Sequence, residues 1–298
     1  MAVNPYSQQG TATAVSSPAG KPGYVFDNDR VHSQDQHRCL AEMLDPMTTA
    51  RLAQTGVADG WHCLEVGAGG GSVATWLAER VAPSGRVLAT DIKPGHIPAR
   101  AGLEVAQHDI VRDPLPEAAF DLISTRQVLR GLPERHAVLD RLVSALRPGG
   151  WLQIDEFDIS YGPALLMPDP QDRQLYETFL AAKIRLFHTA GADGAWGQHV
   201  AQAMHDAGLV DIDPVPRLEL WHAGSPGVRL QIHHTFELRD QFITAGMTDQ
   251  QLAEVRRLLA DPDFRASSCA IYSVQGRRPH ERSCQETATG RTSLSHTA

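Results

Sequence analysis
Cysteine is scarce in this chain: four residues, Cys39, Cys63, Cys269 and Cys284, in a sequence of 298. They lie far apart and form no C-x-x-C pair, which excludes a zinc knuckle or a small disulfide framework. Reduced thiols are expected, with Cys63 and Cys269 as core residues inside strands. Long apolar runs are missing too, so no segment approaches the ~20 residues of a membrane span. The first residues, MAVNPYSQQG, have neither a basic start nor the apolar stretch of roughly 7–15 residues that a secretory signal needs. A non-exported, cytoplasmic protein is expected. Clusters of Lys and Arg are also absent and the formal net charge is -8; neutralising nucleic-acid phosphates requires the opposite. A small, weakly charged substrate is the better expectation.

What is present is enough apolar material for one substantial core, 42% of the chain. Residues 1–22 and 280–298 are polar and poor in apolar side chains, and both ends are expected to be disordered. Between them, residues 23–279 read as a single domain, with a core at 60–160 and a cap with the last strands at 161–279. Apolar strand candidates recur at 61–68, 85–92, 103–110, 120–128 and 151–158. Segments of helical spacing separate them: the one after Ser72, a plausible cap, and PERHAVLDRLVSAL, stopped by RPGG. Near-continuous apolar strands joined by helices imply a parallel sheet covered on both faces. The expected fold is therefore α/β, doubly wound, with its ligand crevice at the carboxyl ends of the strands.

After Asp158 the rhythm changes. Helical patterns at 169–191, 196–209, 225–246 and 248–262 alternate with two strand patterns, 210–222 and 267–279. The strands should complete the sheet while helices roof the crevice. The aromatics of QLYETFLAAKIRLF recur at helical spacing, which favours core packing. Tyr24, Phe26 and the helical segment VHSQDQHRCLAEML could cover one end of the ligand or simply pack at the sheet edge.

The stretch LEVGAGGGS at 64–72 closes the first strand. A dinucleotide fingerprint is G-x-G-x-x-G, its last glycine packing helix on strand. Gly67 and Gly69 fit, but Ser72 stands at the third position. The pattern that fits throughout is Glu65-x-Gly67-Ala68-Gly69-x-Gly71. About twenty residues on, Asp91, followed by Ile92, ends the second strand and is placed to accept hydrogen bonds from two ribose hydroxyls.

The E-x-G-x-G-x-G pattern resembles motif I of the class I S-adenosylmethionine-dependent methyltransferases. His108-Asp109-Ile110, FDLISTRQVLRGLPER and LRPGGWLQIDE resemble later motifs of that superfamily. The resemblance is nearest to its ubiquinone/menaquinone-type, small-molecule branch and extends over most of residues 24–279. It implies a Rossmann-like seven-stranded sheet, mostly parallel with the last strand antiparallel, and S-adenosyl-L-methionine as cofactor. It implies that Asp109 receives the adenine amino group with Ile110 beside the ring, and that the backbone near Thr125 and Arg126 faces the methionine end. The acceptor would be a small molecule of secondary metabolism, methylated on O or N. Where the branch often has L-E-H-L-P, this chain has Leu129-Arg130-Gly131-Leu132-Pro133, so that histidine's substrate contact is missing.

Methyl transfer is an in-line displacement whose rate comes mainly from positioning the nucleophile in a dry site. A general base is required only when the acceptor must lose a proton, and histidine is its usual form. Among the roofing histidines, His188, His233 and His234 are candidates, with Gln231–His234 favoured for acceptor contact and His188 also suited to a helix C-terminus. His199 and His222 carry no further signal. Asp155, Glu156 and Asp158 end the fifth strand, where they either meet a ligand or are simply solvated. No spacing matches a metal site. Two other readings remain open: an NAD(P)-dependent oxidoreductase resting on Gly67, Gly69 and Asp91, and a non-methylating S-adenosylmethionine-binding scaffold or cyclase. A homodimer is also left open.

Overall fold
The computed structural model describes residues 33–280; the expected head, Tyr24, Phe26, Cys284 and nearly all of the expected tail lie outside them. The chain runs α1 (Ser33–Gln54), β1 (His62–Val66), α2 (Ser72–Val81), β2 (Arg86–Asp91), β3 (Leu103–Gln107) and β4 (Phe120–Arg126). Then follow α3 (Arg135–Ala145), β5 (Leu146–Asp158), β6 (Ala164–Leu166), α4 (Pro170–Thr189) and α5 (Trp196–Asp206). The last elements are β7 (Val210–Arg217), β8 (Leu220–His222), α6 (Pro226–Glu237), α7 (Arg239–Thr244), α8 (Asp249–Leu259), β9 (Arg265–Ser267) and β10 (Ala270–Arg277).

Seven strands form one sheet in the order β3-β2-β1-β4-β5-β10-β7. The first five pair in parallel, whereas β10 runs antiparallel to both β5 and β7. The parallel strands are apolar because both faces are covered: Cys63, Leu64, Val66, Leu122 and Ile123 are buried. On one face α2 buries Val73, Ala74, Leu77, Ala78 and Val81, the spacing of a helix with one core-facing stripe. The strand order reverses between β1 and β4, so their carboxyl ends open the crevice that a doubly wound sheet offers a ligand.

The second half departs from the simple reading. The 210–222 pattern is two strands, and β8 leaves the main sheet to join a three-stranded antiparallel one ordered β6-β9-β8. The break falls at Leu218-Glu219, where Ser268 takes over the pairing. Its Oγ accepts from the Glu219 N–H at 2.8 Å and its own N–H donates to the Glu219 carbonyl at 2.8 Å. The 267–279 pattern breaks at the same place, so Cys269 is buried in the β9–β10 connection, not in a strand. The 225–246 helix is likewise two, α6 and α7, meeting at Leu238. Ser72 does not cap α2; Gly71 is the N-cap, and the Ser72 hydroxyl donates to Asp45 at 3.0 Å.

Helices α4, α6, α7 and α8 pack on one another and on α1 around Tyr176, Phe179, Phe242 and Phe264. The aromatics of α4 are thus core residues, as their spacing predicts. Among the described residues no helix is long and apolar enough to cross a membrane.

Candidate functional site
The glycine loop leaves β1 by turning left-handed. Gly67 (φ 69°) and Gly69 (φ 54°) have backbones that L side chains rarely adopt, while the Gly67 and Ala68 N–H groups donate to the Thr90 carbonyl at 2.8 and 3.0 Å. A Cβ on Gly67 would overlap the Val128 side chain, and one on Gly69 would stand 3.3 Å from the His37 ring. The loop is tied to the end of β2 by Asp91, whose Oδ2 accepts from the Gly69 N–H at 3.0 Å and Oδ1 from the Lys93 N–H at 2.9 Å.

Around this loop lies a cavity of about 550 Å³. Of the residues expected there, Glu65, Gly67, Ala68, Gly69, Asp91, Ile92, Asp109, Ile110 and Arg126 all line it. Gly71 and Thr125 do not. Gly71 lies against Ile97 and Pro98, which a Cβ would approach to 2.9 Å. Thr125 is buried within β4, behind Arg126. Asp109 receives the Val111 N–H at 3.0 Å and pairs with Arg112 at 3.3 Å. β3 ends before this segment, so His108–Ile110 is loop, not strand.

Two features of this cavity come from helix α1, far away in sequence. His37 packs over the glycines and meets His96 edge to face, ring centroids 5.5 Å apart; burial lowers its pKa. Asp45 binds the Arg126 guanidinium at 2.7 Å, and Ser72 Oγ lies 3.3 Å from the same side chain. Glu65, buried beneath the loop, has its pKa pushed up to about 8 by burial, although Arg126 pulls it down. Its Oε2 is enclosed without a hydrogen-bond partner in the structure.

A second cavity, about 70 Å³, adjoins the first and shares Leu40 and Gln127 with it. Gln127 has a left-handed backbone (φ 58°), unusual for a side-chain-bearing residue and held by its N–H bond to the Asp155 carbonyl at 2.9 Å. Phe157, Phe187, Trp221 and Leu230 give this cavity apolar walls. Its polar lining includes Gln36, Gln127, Gln231, His234, Arg130, whose guanidinium lies 4.7 Å from the centre of the Phe187 ring, and Lys183, whose Nζ donates to Gln231 Oε1 at 2.6 Å. Burial pushes the Lys183 pKa down to about 8 and lowers that of His234 well below its usual value, helped by Lys183 and Arg130.

Of the three candidate histidines only His234 lines this cavity. His188 is exposed at the end of α4, and His233 is half-buried on α6 and lines neither cavity. From the favoured segment Gln231–His234, the first and last residues face the cavity. The three acids ending β5 are buried, not solvated. Asp155 accepts from Thr48 Oγ1 at 2.6 Å and Asp158 from the Ser160 N–H at 2.9 Å. Glu156 Oε1 accepts from the Val128 and Arg130 N–H groups at 3.1 and 3.2 Å, and burial pushes its pKa up to about 7. These acids hold the backbone that carries the site. No group of three or more metal-ligating side chains occurs among the described residues.

Lys183, Arg130, His37 and Gln127 were not among the residues expected from the motifs. Arg130 had a signal: it stands where the resembling branch shows an acid. Lys183 is a cation within an otherwise apolar helical stripe.

Residues 64–152 match the family model described as a methyltransferase domain. The chain is 32% identical over 151 residues to methyltransferase str3 of Strobilurus tenacellus, covering 48% of this chain and 52% of the relative. It is 30% identical over 122 residues to the ubiquinone/menaquinone biosynthesis C-methyltransferase UbiE of Cupriavidus taiwanensis, covering 38% and 49%. It thus spans about half the length of these curated relatives. Among solved structures, a phosphoethanolamine N-methyltransferase 2 of Haemonchus contortus superposes with a TM-score of 0.53 at 14% identity, over 85% of this chain and 59% of that one, a likeness of fold. Residues 64–152, on this doubly wound sheet, thus match a methyltransferase domain, and the chain resembles curated methyltransferases over about half their length.

Proposed function
We propose that the protein transfers a methyl group from S-adenosylmethionine to oxygen or nitrogen of a small-molecule acceptor of the secondary-metabolite kind. The observation that carries this reading is the junction of the two cavities at Leu40 and Gln127, which sets a nucleoside-sized space against a smaller, mostly apolar one. A volume of about 550 Å³ is in the range of small-molecule sites. The loop's glycines leave room that side chains would fill, and the enclosed Glu65 Oε2 is an acceptor awaiting a donor.

In this reading Asp91 accepts from the ribose hydroxyls, Asp109 from the adenine amine, and Ile110 covers the ring. Glu65 takes the amino group of the methionine portion, and Arg126, held by Asp45, borders it. Gly71 and Thr125 act from behind, setting the loop and the strand end. When bound, S-adenosylmethionine supplies an electrophilic methyl group on a sulfonium. Gln127 and Leu40 form the boundary across which the acceptor's nucleophile faces it, and the walls at Phe157, Phe187 and Trp221 exclude water. Orientation in a dry site is the main source of rate in such a displacement.

Isothermal titration with S-adenosylhomocysteine and, separately, with NADH tests this directly. Binding of the first and no heat from the second is the expected result; NADH binding with no response to S-adenosylhomocysteine would overturn it. Mass spectrometry of small-molecule extracts incubated with enzyme and methyl-deuterated cofactor should then show one labelled product.

A further inference from the structure
Helix α1 comes down on the glycine loop through one side chain. A Cβ on Gly70 would stand 3.1 Å from the His37 Cβ, and one on Gly69 would stand 3.3 Å from His37 Nε2, so the imidazole lies along both glycines. Gly70 has no left-handed backbone that would call for glycine; the room it leaves is taken by His37. The ring also meets His96 of the loop after β2, edge to face at 5.5 Å, and His96 Nδ1 lies 3.5 Å from Gln34 Nε2 of α1. Gln34, His37 and His96 all line the large cavity.

Burial decides which nitrogen of His37 carries the proton. It lowers the pKa of the ring, His96 and Arg126 act in the same direction, and Asp91 opposes them. At neutral pH the imidazole is therefore uncharged and bears a single N–H. Nδ1 is enclosed without a hydrogen-bond partner, and an orphaned buried N–H is rarer than an orphaned acceptor. The proton belongs on Nε2, the nitrogen over Gly69. Gly69 is also the residue whose N–H Asp91 Oδ2 accepts at 3.0 Å. An imidazole donor and a carboxylate acceptor thus flank one residue of the cavity wall.

A hydroxyl is donor and acceptor at once, and a carboxylate satisfies only its proton. We propose that His37 is a cofactor-binding residue, its Nε2–H donating to the oxygen of a ribose hydroxyl whose proton Asp91 accepts. This rests on the methyl-transfer reading and adds to it a residue from a helix that no motif marks. The hydroxyl is then satisfied in both senses. The contact is made by the same helix that supplies Asp45 to Arg126 and Leu40 to the junction of the two cavities.

Isothermal titration of the full chain with S-adenosylhomocysteine and with its 2′-deoxy and 3′-deoxy analogues tests the contact. The wild type should bind S-adenosylhomocysteine at least about fivefold more tightly than one of the two analogues. His37→Phe keeps a ring over the glycines and removes the N–H. It should weaken S-adenosylhomocysteine about fivefold and that analogue less than about twofold, because the analogue already lacks the partner. His37→Gln, whose amide nitrogen extends to a similar reach as Nε2, should recover most of the lost affinity. Equal losses for all three ligands in His37→Phe, the result of a purely packing role, would overturn the proposal. So would unchanged affinity in that variant, or a wild type indifferent to both hydroxyls. If His37→Phe does not fold, His37→Gln decides: retained discrimination between the ligands supports the contact and lost discrimination overturns it. A wild type that does not bind S-adenosylhomocysteine at all would remove the methyl-transfer reading itself, and the contact with it.

Discussion
The two cavities touch at Leu40 and Gln127 but are built in opposite ways. The larger rests on β1, β2 and the loops that follow β1, β2 and β3, with acids Glu65, Asp91 and Asp109 in its wall. The smaller draws Arg130 from the turn after β4, Phe157 from β5, Lys183 from α4 and Gln231 and His234 from α6, and no acid is among the described residues of its wall. The larger combines short-range turns, whose glycines and acids act locally, with α1 residues such as His37 brought in from elsewhere in the chain. The other exists only once helices distant in sequence are packed together. The described walls thus differ in charge, with carboxylates beside arginines in the first and Arg130 and Lys183 in the second.

The comparison breaks most completely if the glycine loop is filled. Gly67→Val places a β-branched side chain at φ 69°, against Val128; affinity for S-adenosylhomocysteine should fall by more than about 100-fold in calorimetry. Next in size is Asp91→Ala, which removes a carboxylate that also tethers Gly69. It should weaken S-adenosylhomocysteine by roughly 1–3 kcal/mol. Unchanged cofactor affinity would show that Asp91 does not hold the ribose.

Glu65 sharpens the contrast through stability. Its folded pKa of about 8 lies above its unfolded value near 4.5, so between those limits the folded state binds more protons. Stability from this group is therefore lost as pH rises from about 5 to 8. Denaturant unfolding should show Glu65→Gln gaining on the wild type across that window by roughly 3 kcal/mol; parallel pH curves would contradict this.

Legibility in the sequence followed the same division. The parallel strands, the helix after the glycine loop and nine of eleven expected wall residues could be read directly. Their signals are local: an apolar run ends, a glycine turn follows, an acid closes the next strand. Gly71 and Thr125 stand outside the cavity wall because a motif position does not say which way a residue faces. The break at Leu218-Glu219 was not visible, since both sides of it carry strand-like residues and the decision depends on hydrogen bonds to Ser268, far along the chain. The candidate histidines were selected by residue type, and only His234 faces a cavity, because facing is settled by helix packing.

The sequence by itself therefore determined most of the larger cavity's glycine loop and acids, where backbone conformation and a few neighbouring residues suffice. The smaller cavity was decided only by tertiary structure. The packing of α1, α4 and α6 over the sheet brings Lys183 and Arg130 into one mostly apolar enclosure. Charges separated along the chain by some fifty residues have no chemical meaning as a pair until burial removes the water between them and strengthens their interaction.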